Sequence, residues 1–304
     1  MRTLGCDISS WSGKTDFGKM KSAGMEFCWA KSCQIQKDAQ FSNYWPAMKQ
    51  AGLLRGAFAY LDWRSSELTQ AKLFCDTIGG DIGELPPMLD LEMDPAPFKL
   101  SPALVQGKVW NWLQAVEKAT GRVPIIYAGA SFWTQWMTPD KGWLKYPFWL
   151  AWYASEPYIN FISLLKGYSH GAPKPWKDWT IWQYTGNGNG PQYGTQALSL
   201  DMDWFNGDLA ALQAWANAPA PVPGPVTPPV ISAPAPLYPA YKVVAGQNPN
   251  VHVSPDGTSK VLGYILSGSA VSIDTITGNY GHFQPNAQYQ SGGWVYMPYL
   301  IKQG

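Results

Sequence analysis

The sequence predicts an α/β chain: a TIM-like (β/α)-barrel with a degenerate second half, followed by a small all-β barrel. Three observations predict it. Short apolar runs recur through the first 216 residues, helical patterns separate the earlier runs, and a proline-rich stretch then divides the chain.

The apolar runs are Thr3–Asp7, Glu26–Lys31, Leu54–Tyr60, Pro87–Glu92, Val123–Tyr127, Phe148–Tyr153, Trp179–Tyr184 and Ala197–Asp201. Continuous runs of this length fit strands buried on both faces, as in a parallel sheet. The helical segments are punctuated. Phe41–Ala51 is followed by Gly52, and Glu67–Ile78 by Gly79-Gly80, both common stops. Pro102–Ala119 opens with Ser101 as N-cap and Pro102 at the first helical position, and Gly121 ends it. Its apolar face reads Val105, Val109, Trp112, Leu113 and Val116. After the fifth strand the helical pattern fades until a last helix around Asn206–Ala216. No glycine-rich fingerprint follows the first strand, which argues against an open nucleotide-binding sheet.

Nine prolines lie between Asn217 and Tyr241, separated by small residues. Proline fixes φ and removes donors, so this stretch is expected to be an extended, semi-rigid spacer. The expected organisation is residues 1–216, a linker over 217–239, and residues 240–304. The last part carries short strands at Val251–Val253, Val261–Ile265, Ala270–Ile273 and Gly293–Tyr296, with turns at Pro255-Asp256-Gly257 and Ser267-Gly268.

Composition narrows the function. Net charge is +1, so no basic field points to nucleic acid. No apolar run is long enough to span a membrane, and no apolar leader follows Met1. Cys6, Cys28, Cys33 and Cys75 match no zinc or redox spacing, and buried free thiols are expected. His170, His252 and His282 form no metal motif, and Gly-Xaa-Ser-Xaa-Gly is absent, so no metal or cofactor is expected. The chain holds 17 Trp and 16 Tyr, whose flat apolar faces and polar tips suit sugar rings.

Acids mark the chemistry. The first, fourth and eighth runs end in Asp7, Asp90-Leu91-Glu92 and Asp201, and barrel active sites gather at the C-terminal ends of strands. Asp90 and Glu92 are two apart, so both face one side of an extended strand while Leu89 and Leu91 face the helices. Uncompensated buried charge is unfavourable, and crowded carboxylates raise one another's pKa. A carboxyl kept protonated beside a carboxylate is the pair that glycosidic cleavage needs.

These residues resemble the glycoside hydrolase family 25 lysozymes, the Chalaropsis-type muramidases, over most of residues 3–216. Gly5-Cys6-Asp7-Ile8-Ser9 is similar to the family's first-strand Asp-Xaa-Ser motif, and Leu89-Asp90-Leu91-Glu92 to its Asp-Xaa-Glu. Pro124-Ile125-Ile126-Tyr127, Phe148-Trp149-Leu150-Ala151-Trp152-Tyr153, Trp182-Gln183-Tyr184 and Asp201-Met202-Asp203-Trp204-Phe205 resemble the later motifs in order. The resemblance implies five βα units plus three strands, and hydrolysis of the β-1,4 bond between N-acetylmuramic acid and N-acetylglucosamine. It implies Glu92 as proton donor, Asp90 assisting at the anomeric centre, and Asp7 and Asp201 shaping the site. Tyr60, Tyr127, Trp152 and Gln183 are the expected substrate-binding residues.

The chain departs from the family pattern in several places. Ser9 is followed by Ser10-Trp11-Ser12-Gly13 rather than Gln-Gly. Lys31-Ser32-Cys33-Gln34-Ile35 lacks the usual second-strand acid, and Phe58-Ala59-Tyr60 lacks a histidine. Asp203 stands where Asn is usual. Asp62, just past the third strand, is expected to be a solvated loop acid rather than a replacement for a lost polar contact.

Asn250-Val251-His252-Val253-Ser254-Pro255 and Gly293-Trp294-Val295-Tyr296-Met297-Pro298-Tyr299-Leu300 resemble the opening and ending of bacterial SH3-like domains. That implies a wall binder to which Tyr264 and Tyr280 contribute, with Trp294 expected in the core. The expected partner is bacterial peptidoglycan, with no nucleic acid and no membrane insertion, and the chain is expected to be a monomer. The missing leader favours a phage endolysin released through a membrane lesion, or export by another route. A non-catalytic glycan binder, and a glucosaminidase or chitin-cleaving enzyme, are the competing expectations.

Overall fold

The computed structural model describes residues 2–153, 171–217, 240–283 and 293–303. Beyond Asn217, the predicted spacer lies outside these residues. The chain divides into two compact units, Met1–Val230 and Ile231–Gly304.

The first unit is a closed eight-stranded barrel. Its strands are β1 (Thr3–Ile8), β2 (Phe27–Cys33), β3 (Leu54–Tyr60), β4 (Met88–Leu91), β5 (Ile125–Gly129), β6 (Phe148–Ala151), β7 (Ile181–Asn189) and β8 (Ser199–Phe205). Neighbours from β1 through β7 pair in parallel. The eighth strand runs antiparallel to both β7 and β1, unlike the parallel sheet expected from its apolar run. The link from β7 to β8 covers only residues 190–198 and holds one 3-10 turn at Gly190–Tyr193, too short for the crossover that parallel strands require. Reversal changes the meaning of Asp201. It lies near the start of β8 rather than at its end, and the start of a reversed strand reaches the mouth.

Helices α1 (Phe17–Ser22), α2 (Phe41–Gln50), α3 (Glu67–Ile78), α4 (Pro102–Thr120), α5 (Ala130–Trp136) and α6 (Leu209–Ala216) accompany the strands. The punctuation works as expected. Ser101 Oγ accepts from Leu104 N–H at 3.3 Å, and Gly121 closes α4 in the left-handed conformation at φ 68°. The pattern missed α1 and α5, which have only 6 and 7 residues, fewer than two helical turns.

Alternation along the strands fills the barrel in layers. Phe27, Trp29, Phe58, Met88, Ile125, Tyr127, Trp149, Ile181 and Phe205 form its aromatic-rich core. Trp29 and Trp149 meet edge to face, with centroids 4.8 Å apart. Two strand glycines make room for these rings. A Cβ at Gly5 would lie 2.1 Å from the Phe27 ring, and one at Gly56 2.0 Å from Trp29. Nearer the mouth the inward positions become polar: Asp7, Lys31, Tyr60, Asp90, Gln183 and Asp201. All four cysteines are free thiols; Cys6, Cys28 and Cys33 are buried and Cys75 half-buried.

Among the described residues the second unit is all-β, with seven strands in the order β11-β10-β14-β13-β12-β9-β15. Here β9 is Ala240–Val243, β10 Asn250–His252, β11 Val261–Tyr264, β12 Ala270–Thr277, β13 Tyr280–Phe283, β14 Gly293–Tyr296 and β15 Leu300–Lys302. Val243, Val251, Ile273, Phe283 and Val295 make its core. Trp294 is not part of that core, contrary to expectation. Val251 and Val295 face inward as register partners, so alternation turns Trp294 to the other face, where it meets His282.

Candidate active site

The four acids predicted from the sequence meet at one cleft. Asp7, Asp90, Glu92 and Asp201 line a cavity of about 360 Å³ with Lys31, Tyr60 and Trp11. Asp7 and Asp201 are register partners across β1 and β8. Asp90 lies near the end of β4 beside Tyr60 and Tyr127, its partners on β3 and β5. Glu92 follows β4 and also lines a second cavity of about 350 Å³ with Phe132, Trp152 and Tyr153. Glu92 is therefore the residue the two cavities share.

A hydrogen-bonded chain runs behind the acids. Gln183 Nε2 donates to Asp7 Oδ2 at 2.6 Å. Its Oε1 accepts from the hydroxyls of Tyr127 and Tyr153, each at 2.8 Å, which uses both carbonyl lone pairs. The Tyr127 hydroxyl also lies 3.1 Å from Glu92 Oε1. Tyr127 has one proton to give. When it points to Gln183, the tyrosine oxygen can accept from a protonated Glu92; when it points to Glu92, it stabilises the carboxylate. Gln183 and Tyr127 are both buried, so they sit behind the acids rather than on the cleft surface. Tyr60 and Trp152 reach the two cavities themselves.

Every one of these acids is pushed toward its neutral form. Burial raises Asp7 and the Asp201 charge adds to it, while the Gln183 hydrogen bond opposes. Asp90 is raised by burial and then by Glu92. Burial raises Glu92 against the pull of Tyr127 and Lys31. Burial and the Glu92 charge lift Asp201 to about 6. Lys31 is the cation that lines the cleft, and its Nζ lies 4.7 Å above the Tyr60 ring.

The structure adds three residues that the site prediction lacked. Tyr153 closes the sixth-strand motif and binds Gln183, so the motif itself carried the signal. Lys31 belongs to the second-strand motif. Asp203 is a fifth acid, fully buried, whose Oδ1 accepts from Trp149 Nε1 at 3.1 Å. Its Oδ2 is buried without a donor, and burial followed by the Asp7 charge holds its pKa well above the usual range. Protonated Asp203 can donate to Asp7, an interaction that opposes the rise in Asp7.

Asp62 is not a solvated loop acid. It is fully buried and accepts from Arg64 Nε at 2.9 Å and from Gln34 Nε2 at 2.7 Å. The Arg64 hydrogen bond outweighs burial and brings its pKa down to about 2. The second-strand position without its acid is thus tied to an acid on the loop after β3. Among the described residues, no three His, Cys, Asp or Glu side chains are grouped to hold a metal ion. No helix among them is long and apolar enough to cross a membrane.

Comparison with known proteins supplies an independent line. The family model for glycosyl hydrolases family 25 matches residues 6–193. Lysozyme M1 of Streptomyces globisporus is 34% identical over 226 residues, 70% of this chain and 71% of that protein. The uncharacterized protein YegX of Escherichia coli K12 is 32% identical over 226 residues, 70% of this chain and 73% of its own length. The solved muramidase of Acremonium alcalophilum superposes with a TM-score of 0.60 at 30% identity, covering 71% of this chain and 99% of that one.

Proposed function

The chain belongs to glycosyl hydrolase family 25 as a lysozyme-type, peptidoglycan-hydrolysing enzyme, and from that premise we propose its bond and its residues. The bond is the β-1,4 linkage between N-acetylmuramic acid and N-acetylglucosamine. Glu92 is the general acid that protonates the leaving oxygen. The observation that carries this is its position: a residue with raised pKa that lines both cavities, so sugars in the two would present the linking oxygen to it.

Asp90 assists at the anomeric centre. It is largely buried yet lines the cleft beside Glu92, placed to orient an acetamido N–H or to oppose the developing positive charge. Asp7 shapes the site through the Gln183–Tyr127 chain, which links it to Glu92, and Asp201 acts on Asp7 and Glu92 through its charge. Tyr60 and Trp152 contact sugar, and Tyr127 and Gln183 position the acids.

The second unit is an SH3-like wall binder. Tyr264 is more than half exposed on β11, in keeping with a contact role. Tethering raises the local concentration of wall at the barrel. An endolysin acting on the wall as a monomer accounts for the organisation.

Mass spectrometry of borohydride-reduced products from purified peptidoglycan tests the bond. Reduced muramic-acid ends are expected. Reduced glucosamine ends would move the cleavage to the other linkage, and no new ends would contradict the proposal.

A further inference from the structure

Trp11 is 90% exposed, although it lines the same cavity as the four acids. Water-exposed indole is unfavourable by comparison with a buried ring, and the barrel interior shows that this fold readily packs tryptophan. Nor is Trp11 on a loose loop. It is the middle residue of a 3-10 turn at Ser10–Ser12, closed by a reciprocal cap in which Ser9 and Ser12 bond each other's backbone. Ser10 N–H donates to Asp38 Oδ2 at 3.1 Å, and Tyr44 Oη reaches Ser9 O at 3.3 Å.

The turn is tied to the segment that enters β8. Ala197 N–H donates to Ser12 O at 3.2 Å, and Gln196 N–H to Lys14 O at 2.9 Å. Gly13 lies in the left-handed region at φ 68°, where a Cβ would meet Gln196 at 2.7 Å, so only glycine allows this close approach. Next to Ala197, Leu198 is 83% exposed. Two large apolar side chains are therefore held in water by paired, capped backbone, on the β1–β8 side of the cleft.

We propose that the Trp11 platform is a glycan subsite, on which one N-acetylhexosamine ring stacks beyond the pair of sugars held at Glu92. This rests on the glycan-cleaving reading of the cleft and extends it. The ligand chemistry fits. A β-1,4-linked pyranose with equatorial substituents presents C–H bonds on its faces, and a flat indole matches such a face. The glycan runs from the Phe132–Trp152–Tyr153 cavity across Glu92 to Trp11. A pre-formed mount limits the ordering cost of binding.

The test is calorimetry of peptide-free glycan hexasaccharide with the Glu92→Gln chain, with and without the further substitution Trp11→Ala. Trp11→Ala is expected to weaken the hexasaccharide about tenfold, equivalent to about 1.4 kcal/mol. Trp11→Phe is expected to restore most of the loss, because a flat face remains. In the chain with Glu92 intact, Trp11→Ala raises KM on the same glycan more than it lowers kcat. Equal hexasaccharide affinity before and after Trp11→Ala would overturn the subsite. Failure of the glycan-cleaving reading is distinguishable, since it shows as no new reducing ends from the unsubstituted chain. An exposed residue at a turn does not endanger folding, so the comparison stays clean.

Discussion

The two ends of the barrel handle buried charge in opposite ways. At the N-terminal end of β3, the fully buried Arg55 is matched by two acids. Its Nη1 and Nη2 reach Asp81 at 3.0 and 2.9 Å, its Nε and Nη2 reach Glu84 at 3.0 and 2.9 Å, and its plane covers Trp45. At the mouth, four acids crowd together with Lys31 facing them, and a fifth, Asp203, is buried near Asp7. The first arrangement compensates charge and holds the fold together. The second leaves charge uncompensated, which shifts pKa and supports acid chemistry. Where a protein places uncompensated carboxyls is a better guide to its chemistry than where it places charge.

Four experiments probe this contrast. The largest effect is on turnover. Glu92→Gln is expected to lower kcat on purified peptidoglycan by about 10²–10⁴-fold while wall sedimentation assays show binding retained. Near-normal turnover would remove Glu92 from its proposed role. At the other end, the double substitution Asp81→Asn, Glu84→Gln strands the buried Arg55 charge. A loss on the order of 3 kcal/mol by urea unfolding is expected, moderated because both acids reach solvent. A loss below ~1 kcal/mol would mean that the cluster is ordinary surface pairing.

The ends should also respond oppositely to pH. Arg55 holds Asp81 below the usual range, and for Glu84 its hydrogen bonds outweigh burial. A depressed folded-state pKa gives stability that is present above the unfolded value and lost as pH falls through the folded one. The mouth acids have raised pKa values, so the unfolded chain ionises first and stability falls as pH rises. For Asp201 that window runs from about 4 to about 6. Removing the mouth contribution should flatten the second limb. Asp203→Asn is expected to raise stability by about 1 kcal/mol at pH 7 and to change it little at pH 3, where the acid is neutral in both states. An equal gain at both pH values would mean packing, not charge, is responsible. An effect of similar size is expected at Gln34. Gln34→Ala removes one of several bonds to Asp62, a loss of roughly 0.5–1.5 kcal/mol by thermal unfolding.

The sequence made the strands legible because burial on both faces leaves continuous apolar runs, and it made the acids legible because carboxylates interrupt them. Asp90 and Glu92 could be placed on one side by alternation alone. Other features depend on tertiary pairing. The reversal of β8 follows from a short connection that apolar runs do not encode, so Asp201 reached the mouth by a different route from the one expected. Asp62 looked solvated because its burial, and its bond to Gln34 from 28 residues away, arise only from tertiary packing, while Arg64 two residues on gave no sign of pairing with it. Asp203 and Trp11 were visible as departures from a pattern, but only burial in one and exposure in the other gave them meaning. Arg55 lay in an apolar run, with its partners on the loop before β4.

The proposed chemistry requires that Glu92 keep its proton where an ordinary glutamate has lost it. Carbon-13 NMR titration of side-chain carboxyls, with Glu92 assigned by its absence from the Glu92→Gln spectrum, tests this directly. The expected midpoint lies clearly above 4.5, the ordinary glutamate value, and coincides with the alkaline limb of kcat/KM. A midpoint at or below that value would contradict the assignment, because Glu92 would then be a carboxylate with no proton to give.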